Sequence, residues 1–198
     1  MSVWGRLLLA VALPLALLGA APVPAPAPRP RQVSYFPTTV GTKWVYQEGE
    51  DEHVEVITAV TEKDGAKLVT VGSEWKGEVT PRYLLAVSEK GIAHVAADVA
   101  ELDEPAWALK FPHTPGKRWD FVLAVKGVGK WSGTATAGAA VVVEVPAGKF
   151  DAIPVECDIN FIGERRRFTR WFAPDVGEVK SAVLGAKERV LKQFTRGK

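Results

Sequence analysis

Residues 143–181 read VEVPAGKFDAIPVECDINFIGERRRFTRWFAPDVGEVKS, and this stretch decides which fold the chain can form. Within it, apolar side chains at every second position alternate with proline or polar residues; the apolar ones are Val155, Cys157, Ile159 and Phe161. A period of two is typical of a strand that buries one face. Turn sequences at 146–148 and 173–177 separate this run from its neighbours. The stretch therefore predicts antiparallel strands joined by short turns, and it indicates no specific activity.

Alternating runs bounded by turn residues recur along the rest of the chain. Asp64-Gly65 is the strongest two-residue hairpin signal, because both residues tolerate a positive φ. Residues 97–104 leave two alternatives open, a short helix or an extended loop. The pattern predicts an all-β protein, with about ten strands in a curved antiparallel sheet or half-barrel.

Bulk composition excludes some classes of protein. The chain has 198 residues and a net charge of +2, which is not the strongly basic balance of a nucleic-acid-binding surface. It contains one cysteine, so no disulfide can form within the chain. We therefore expect one domain of ordinary size that folds without a disulfide and binds no nucleic acid.

The N-terminal segment has the layout of an export signal. Arg6 precedes a continuous apolar run at 7–18, and small residues follow at 19–21. We predict a signal peptide over 1–21, a Pro/Ala-rich linker over 22–32 and a single β domain over 33–198. The expected location is periplasmic or extracellular, with no stable membrane span after signal cleavage. The alternative is a signal segment that is kept as an anchor.

One sequence motif occurs twice. The pattern F-P-x-T-x-G-x-x-W-x, followed by Tyr or Phe, begins at Phe36 and again at Phe111, 75 residues later. We interpret this as an internal duplication of a β unit, with copies over about 35–109 and 110–198. Each copy would be a turn that leads into a strand. The motif tryptophans, Trp44 and Trp119, are expected to anchor the core, and the alternative is a platform on which a ligand stacks.

Three segments together resemble a known group of proteins. YFPTTVGTKWVY, VPAGKFDAIPV and RWFAPDVGEVKS are similar to motifs of an uncharacterised family of exported bacterial β proteins: YFPL-x-x-G-x-x-W-x-Y, VPAG-x-F-x-A and AP-x-VG-x-VK. The resemblance implies a fold like the half-barrels of periplasmic lipoprotein carriers, with a concave apolar face. It implies no activity and no catalytic residues. This chain lacks the cysteine to which a lipid would be attached after the apolar run.

Residue patterns that carry catalysis or metal binding are missing from the sequence. The three histidines, His53, His94 and His113, lie far apart, and no paired cysteines accompany them. Nucleophile-elbow, phosphate-loop and dinucleotide motifs are absent as well. Cys157 lies in the apolar phase of its strand, where a thiol is a small inert hydrophobe. We therefore expect a protein that is not an enzyme and uses no metal or cofactor.

The arginine-rich segment near residue 165 offers a candidate binding site. If Ile162 and Gly163 form a two-residue turn, Asp158 lies opposite Arg167. The same register places Arg166 and Arg170 on the apolar face of the sheet, where an unpaired charge is costly. We hypothesise that these two arginines line a concave pocket and meet an anionic head group. The alternatives are a bulge that turns them outward or a position at the end of the sheet.

These observations favour an exported, non-enzymatic binding or carrier module for an apolar or amphiphilic ligand, such as a lipid. The candidate ligand-binding residues are Arg166, Arg170, Trp44 and Trp119. The alternative is a structural or protein-interaction module, with no ligand pocket, that binds a protein of the cell envelope. The two differ in whether the inner face keeps free volume or is filled by Trp44, Trp119 and Trp131.

Overall fold

Antiparallel strands form one continuous sheet in the computed structural model, which describes residues 33–97, 100–125, 129–161 and 164–198. The strands are β1 (Lys43–Glu48), β2 (Asp51–Lys63), β3 (Ala66–Trp75), β4 (Glu78–Ser88), β5 (Gly91–Ala97), β6 (Ala100–Lys110), β7 (Arg118–Val125), β8 (Gly129–Ala137), β9 (Val141–Val145), β10 (Gly148–Phe161), β11 (Glu164–Ala173), β12 (Gly177–Val183) and β13 (Arg189–Thr195). The predicted signal peptide and linker lie outside the described residues.

The sheet is nearly closed as a barrel. Strands β1 to β8 are neighbours in chain order, β10 lies between β8 and β11, and β13 returns to pair with β1. Strand β9 stands outside this ring and pairs with the first part of β10. The prediction of an all-β antiparallel sheet is confirmed. The described residues contain 13 strands, somewhat more than the ten expected, and β6 includes residues 100–104, which were expected to form a helix or a loop.

Two joints of the ring have few paired residues within the described ranges. Strands β6 and β7 pair at Leu102 and Val125 alone. Strands β12 and β13 pair at two positions, Lys180 with Val190 and Ser181 with Arg189. Elsewhere the ladders run over five or more residue pairs, as between β7 and β8. The sheet is therefore held by backbone pairing over most of its circumference and by side chains at these joints.

The β10–β11 hairpin has the register that the sequence predicts. Asp158 lies opposite Arg167, and Phe161 lies opposite Glu164. The predicted turn at 162–163 falls outside the described residues. Arg165 and Arg167 both bond the Asp158 carboxylate on the outer face, which agrees with the expected cross-strand pairing of charges.

Turn chemistry fixes the hairpins on the other side of the sheet. Asp64 and Gly65 join β2 to β3 with φ values of 51° and 75°, as expected of a two-residue turn with positive φ. Lys76 and Gly77 form the same kind of turn between β3 and β4, with φ values of 51° and 83°. Only a residue that tolerates the left-handed region suits these positions.

Both predictions for residues 97–104 are wrong for the described part of that stretch, residue 97 and residues 100–104. Strand β5 runs to Ala97 and β6 starts at Ala100, and these two residues pair with each other. The β5–β6 ladder contains two register shifts, one of them between His94 and Ala96. Between the pairs His94–Ala106 and Ala96–Glu101, β5 has one residue and β6 has four, so the regular alternation that marks a strand is interrupted here.

The turns in the two motif copies have the same geometry. Gly41 and Gly116 occupy equivalent motif positions with φ values of 83° and 82°. The Gly41 N–H donates to the carbonyl of Ile57 at 2.9 Å, and the Gly116 N–H donates to the carbonyl of Ala137 at 2.7 Å. In each copy the turn is thus tied to the next strand of the chain, one residue beyond the last pair of the ladder.

A second bond repeats in the same way. The Thr42 N–H donates to the Thr39 carbonyl at 3.2 Å, and the Lys117 N–H donates to the Thr114 carbonyl at 3.0 Å. Both bonds span three residues and close the turn before the strand begins. The agreement is local; duplication of whole units stays a prediction.

The two ends of the sheet differ. The motif turns precede β1 and β7 and lie at one end, which we call the motif end. The turns between β1 and β2, β3 and β4, and β12 and β13 lie at the other, which we call the hairpin end. At the motif end Phe36 packs on Trp44 with 5.4 Å between ring centroids, and Gly177 leaves room for Phe36. Aromatic packing therefore closes the motif end.

Candidate functional site

A cavity of about 420 Å³ lies inside the ring. Its lining comes from β1 to β6, from β11 to β13 and from Phe36 ahead of β1. None of its described lining residues belongs to β7, β8 or β10. The volume lies in the lower part of the range for small-molecule sites, roughly 300–1,000 Å³. The cavity is therefore large enough for a small ligand and belongs to one side of the interior.

Strand alternation explains which side chains reach the cavity. Trp44 and Tyr46 on β1 share one face and pair with Glu55 and His53 on β2. All four line the cavity. Because side chains at spacing two point to the same face, a polar residue in the inward phase must enter the interior. The pattern thus brings carboxylate and imidazole groups beside core aromatics.

The floor of the cavity, toward the motif end, is apolar. Trp44 is 1% exposed, and its indole N–H donates to the Val176 carbonyl at 2.8 Å. Phe36 and Phe172 line the same region. A buried indole with a satisfied N–H is a firm core anchor. Trp44 therefore supports the structure and forms part of the cavity wall at the same time.

Four charged side chains form a chain of ion pairs above this floor, and we call them the ionic belt: Glu55, Arg170, Glu178 and Arg189. The Arg170 Nε donates to Glu178 Oε2 at 2.5 Å. Arg189 bridges the two carboxylates, at 2.6 Å from Glu55 Oε1 and 3.4 Å from Glu178 Oε1. Both glutamates are 7% exposed. Each buried charge thus has an opposite partner, as burial requires.

Two tyrosines complete the surroundings of the belt. The Tyr83 hydroxyl donates to Glu55 Oε2 at 2.6 Å, and the Tyr46 hydroxyl donates to the backbone carbonyl of Glu178 at 2.8 Å. The Arg189 guanidinium carbon lies 3.7 Å from the centre of the Tyr46 ring. Burial, followed by the charge of Glu55, raises the pKa of both phenols well above the usual value. Both tyrosines therefore stay neutral donors.

His94 extends the belt on β5. Its Nε2 lies 3.4 Å from an Arg170 guanidinium nitrogen. A guanidinium can only donate, so Nε2 accepts and the proton of the neutral ring is on Nδ1. Burial, and then the charge of Arg170, lower the pKa of His94 to about 3. The imidazole is therefore neutral at physiological pH.

The belt glutamate that serves both arginines stays ionised. Burial opposes the charged form of Glu178, but Arg170 and Arg189 outweigh burial and hold the pKa of this carboxyl below its usual value. No fully buried side-chain nitrogen or oxygen lacks a hydrogen-bond partner in the described part of the chain. The belt is thus a set of ion pairs whose charges balance.

The structure brings together two of the four candidate residues. Trp44 and Arg170 both line the cavity. Arg166 lies nearer the hairpin end, where its half-exposed side chain contacts Glu164 at 3.4 Å. Trp119 lies outside the cavity lining, is 7% exposed and donates its indole N–H to the Trp107 carbonyl at 3.0 Å. Arg170 faces Glu178, so an anionic head group would compete with a carboxylate for it.

Sequence reasoning missed five residues of the site: Glu55, Tyr83, His94, Glu178 and Arg189. Two of them carried a readable signal. Glu55 has the same phase as Ile57, and Arg189 has the same phase as Leu191, and both of those apolar residues are buried. A charged residue in a buried phase is the criterion that selects Arg170, and it would have selected these two as well.

The cysteine and the metal-binding residue types of the described ranges form no second candidate site. Cys157 is buried, and burial raises the pKa of its thiol to about 11. No group of three or more His, Cys, Asp or Glu side chains in the described ranges could hold a metal ion. Within the same ranges no helix has the length and apolarity needed to cross a membrane. The cavity is therefore the feature to which a function can best be attached.

Comparison with known proteins identifies the fold alone. No family model matches the chain, and no curated protein sequence does either. A crystal structure from Bacteroides fragilis, of a protein named for inferred export and for a YmcC-like fold, matches with a TM-score of 0.53 and 16% identity, over 83% of this chain and 100% of that one. An inferred lipoprotein from Parabacteroides distasonis matches with a TM-score of 0.48 and 11% identity, over 82% of this chain and 99% of that one.

The Bacteroides fragilis match shows that this chain shares that protein's overall fold. The fold thus occurs in a protein that is named for export, which agrees with the export signal that residues 1–21 predict. The motif-based family resemblance stays a prediction.

Proposed function

We propose that this protein is an exported, non-enzymatic binding module that holds a small amphiphilic molecule in the cavity. The observation that carries the proposal is the lining, in which an apolar aromatic floor adjoins a polar belt. An amphiphile has the matching division into an apolar part and a polar end. A cavity that served packing alone would be expected to be dry and apolar.

Export is the second element of the proposal. It is supported by the n-region and apolar run at residues 1–18 and by the fold shared with a protein named for inferred export. An exported binding module would meet amphiphiles at the surface of a membrane. The proposal does not require that the domain itself enter the bilayer.

A module without a ligand is the competing function. The buried ion pairs and the aromatic floor could together serve only to fix the shape of the sheet. This alternative predicts that filling the cavity is neutral for everything except stability.

The test is mass spectrometry of organic extracts from protein purified without detergent from an exporting host. We expect a stoichiometric small amphiphile in the wild-type extract. Ser73→Trp should abolish it, because Ser73 lines the cavity on β3 and the larger side chain would fill it. Ser132→Trp is the matched control, since Ser132 is exposed on β8 outside the cavity.

An extract without ligand from the wild-type protein, or equal ligand in Ser73→Trp and wild type, would contradict the proposal. Circular dichroism of both variants establishes that each is folded before the extracts are compared.

A further inference from the structure

The charges of the ionic belt balance. The lining contains three arginines, Arg82, Arg170 and Arg189, and three glutamates, Glu48, Glu55 and Glu178. His94 adds no charge, because its imidazole is neutral. The four belt charges are all committed to one another at 2.5–3.4 Å. Arg82 is exposed on β4 and stands apart from the belt, so a polar group that enters the cavity beside the belt meets charges that are already paired.

A ligand with a charged head group would bind weakly beside the belt. An anionic head group beside the belt would need Arg170 or Arg189, and each already faces a carboxylate. A cationic head group would need Glu55 or Glu178, and each already faces an arginine. Moving an ion out of water without a free partner opposes the gain from burying an alkyl chain. The belt therefore selects against a net charge of either sign on the group that lies beside it.

One donor of the lining remains for an uncharged polar group. His94 accepts from Arg170 at Nε2, so its proton is on Nδ1. Within the described ranges no acceptor contacts Nδ1, and every fully buried side-chain nitrogen has a partner, so Nδ1 is reached from the cavity. Arg170 polarises the ring by donating to its other nitrogen. An uncharged oxygen acceptor, such as an ester, amide or hydroxyl oxygen, suits this position.

We infer that the ligand is an uncharged amphiphile whose polar end accepts a hydrogen bond from His94 beside the ionic belt. This inference rests on the proposed function and specifies its ligand class. It replaces an anionic head group at Arg170 by a neutral one at His94. The apolar part of the ligand lies toward Trp44 and Phe172 at the floor.

The test compares three probes with the same twelve-carbon chain: monododecanoyl glycerol, which is neutral, dodecanoate, an anion, and dodecylammonium, a cation. Each is titrated below its micelle concentration by calorimetry at about pH 8, where the carboxylate and the amine are ionised. The neutral probe should bind at least about tenfold tighter than either ion, since each ion must be desolvated without a partner. His94→Phe should weaken the neutral probe by about threefold to tenfold, the worth of one hydrogen bond.

Charge variants test whether the belt is the cause. Glu55→Gln removes one negative charge and keeps a side chain of the same size, so it should improve dodecanoate binding by about tenfold relative to the neutral probe. Arg170→Gln should improve dodecylammonium binding in the same way. If either variant does not fold, the other still tests the argument, and Glu144→Gln, whose exposed side chain lies on β9, is the control that should change neither ratio.

The outcomes separate the two levels of the proposal. If a charged probe binds the wild-type protein as tightly as the neutral one, or if the charge variants leave all ratios unchanged, the inference is overturned and the binding function stands. If none of the three probes binds and the wild-type extract carries no ligand, the proposed function fails together with the inference.

Discussion

The two copies of the F-P-x-T-x-G-x-x-W motif have the same turn and different surroundings. Gly41 and Gly116 agree in φ to within one degree and donate to equivalent neighbours. The tryptophans that follow them do not share an environment. Trp44 lies under the ionic belt and bonds Val176, whereas Trp119 bonds Trp107 and lies outside the cavity lining. The local sequence sets the turn, and the partner strands decide whether a site forms beside it.

The partners of each copy explain the difference. Beside the first copy, β2, β12 and β13 supply Glu55, Glu178 and Arg189. Beside the second copy, β8 and β10 supply small and apolar side chains such as Ala135 and Val155, both fully buried. One side of the interior is therefore polar with free volume, and the other is apolar packing. The predictions below test this division.

Removal of the shared carboxylate should have the largest effect. Glu178→Ala leaves Arg170 and Arg189 short of their common partner, and an uncompensated buried charge costs about 3–5 kcal/mol. Urea unfolding measures the loss. Glu156→Ala is the control from the second side, because Glu156 is exposed on β10, and its free energy of unfolding should change by less than about 0.5 kcal/mol. If both variants lost the same free energy of unfolding, the two sides of the interior would not differ in the way that is described above.

The pH dependence should show the next largest effect. The folded pKa of His94, about 3, lies below its ordinary 6.5, so the unfolded chain binds the extra proton between these values. Stability is therefore fully present above about pH 6.5 and falls as the pH is lowered toward 3, by up to about 1.4 kcal/mol per pH unit from this group. In His94→Gln the amide oxygen can still accept a hydrogen bond from Arg170, but the side chain does not titrate. The free energy of unfolding of this variant should therefore lack the part of the pH dependence that His94 contributes between about pH 6.5 and 5.

The control for this measurement comes from the second motif copy. His113 lies near the Gly138 carbonyl, at 2.8 Å, and does not line the cavity. His113→Gln should keep the slope that is assigned to His94. If His94→Gln retains the wild-type slope in that window, His94 is not held neutral by burial beside Arg170.

The sequence predicts the strands better than the site, for a physical reason. Alternation over residues 153–161 and the Asp64-Gly65 turn are local signals, and both correspond to the observed hairpins. The belt depends on ring closure, which brings Glu55 next to Arg189 across 134 residues of sequence. A register shift between Trp171 and Phe172 also places Glu178 inside, and alternation alone does not reveal it. The alternation along a strand can thus identify charged residues that point into the interior. Which of them form ion pairs is determined only when the sheet closes.

The smallest expected effect concerns the glycine turn that the two motif copies share. Gly41→Ala and Gly116→Ala each place a Cβ at a φ near 82°, which costs about 1–2 kcal/mol for an L-residue. Neither Cβ meets a close obstacle: the nearest atom to the first lies at 3.8 Å, and nothing lies within 4 Å of the second. The two losses, measured by urea unfolding, should therefore agree to within about 0.5 kcal/mol. Unequal losses would mean that neighbouring strands also affect the stability of the turns. The local sequence would then not determine the turns by itself, and the distinction between the turns and the site would fail.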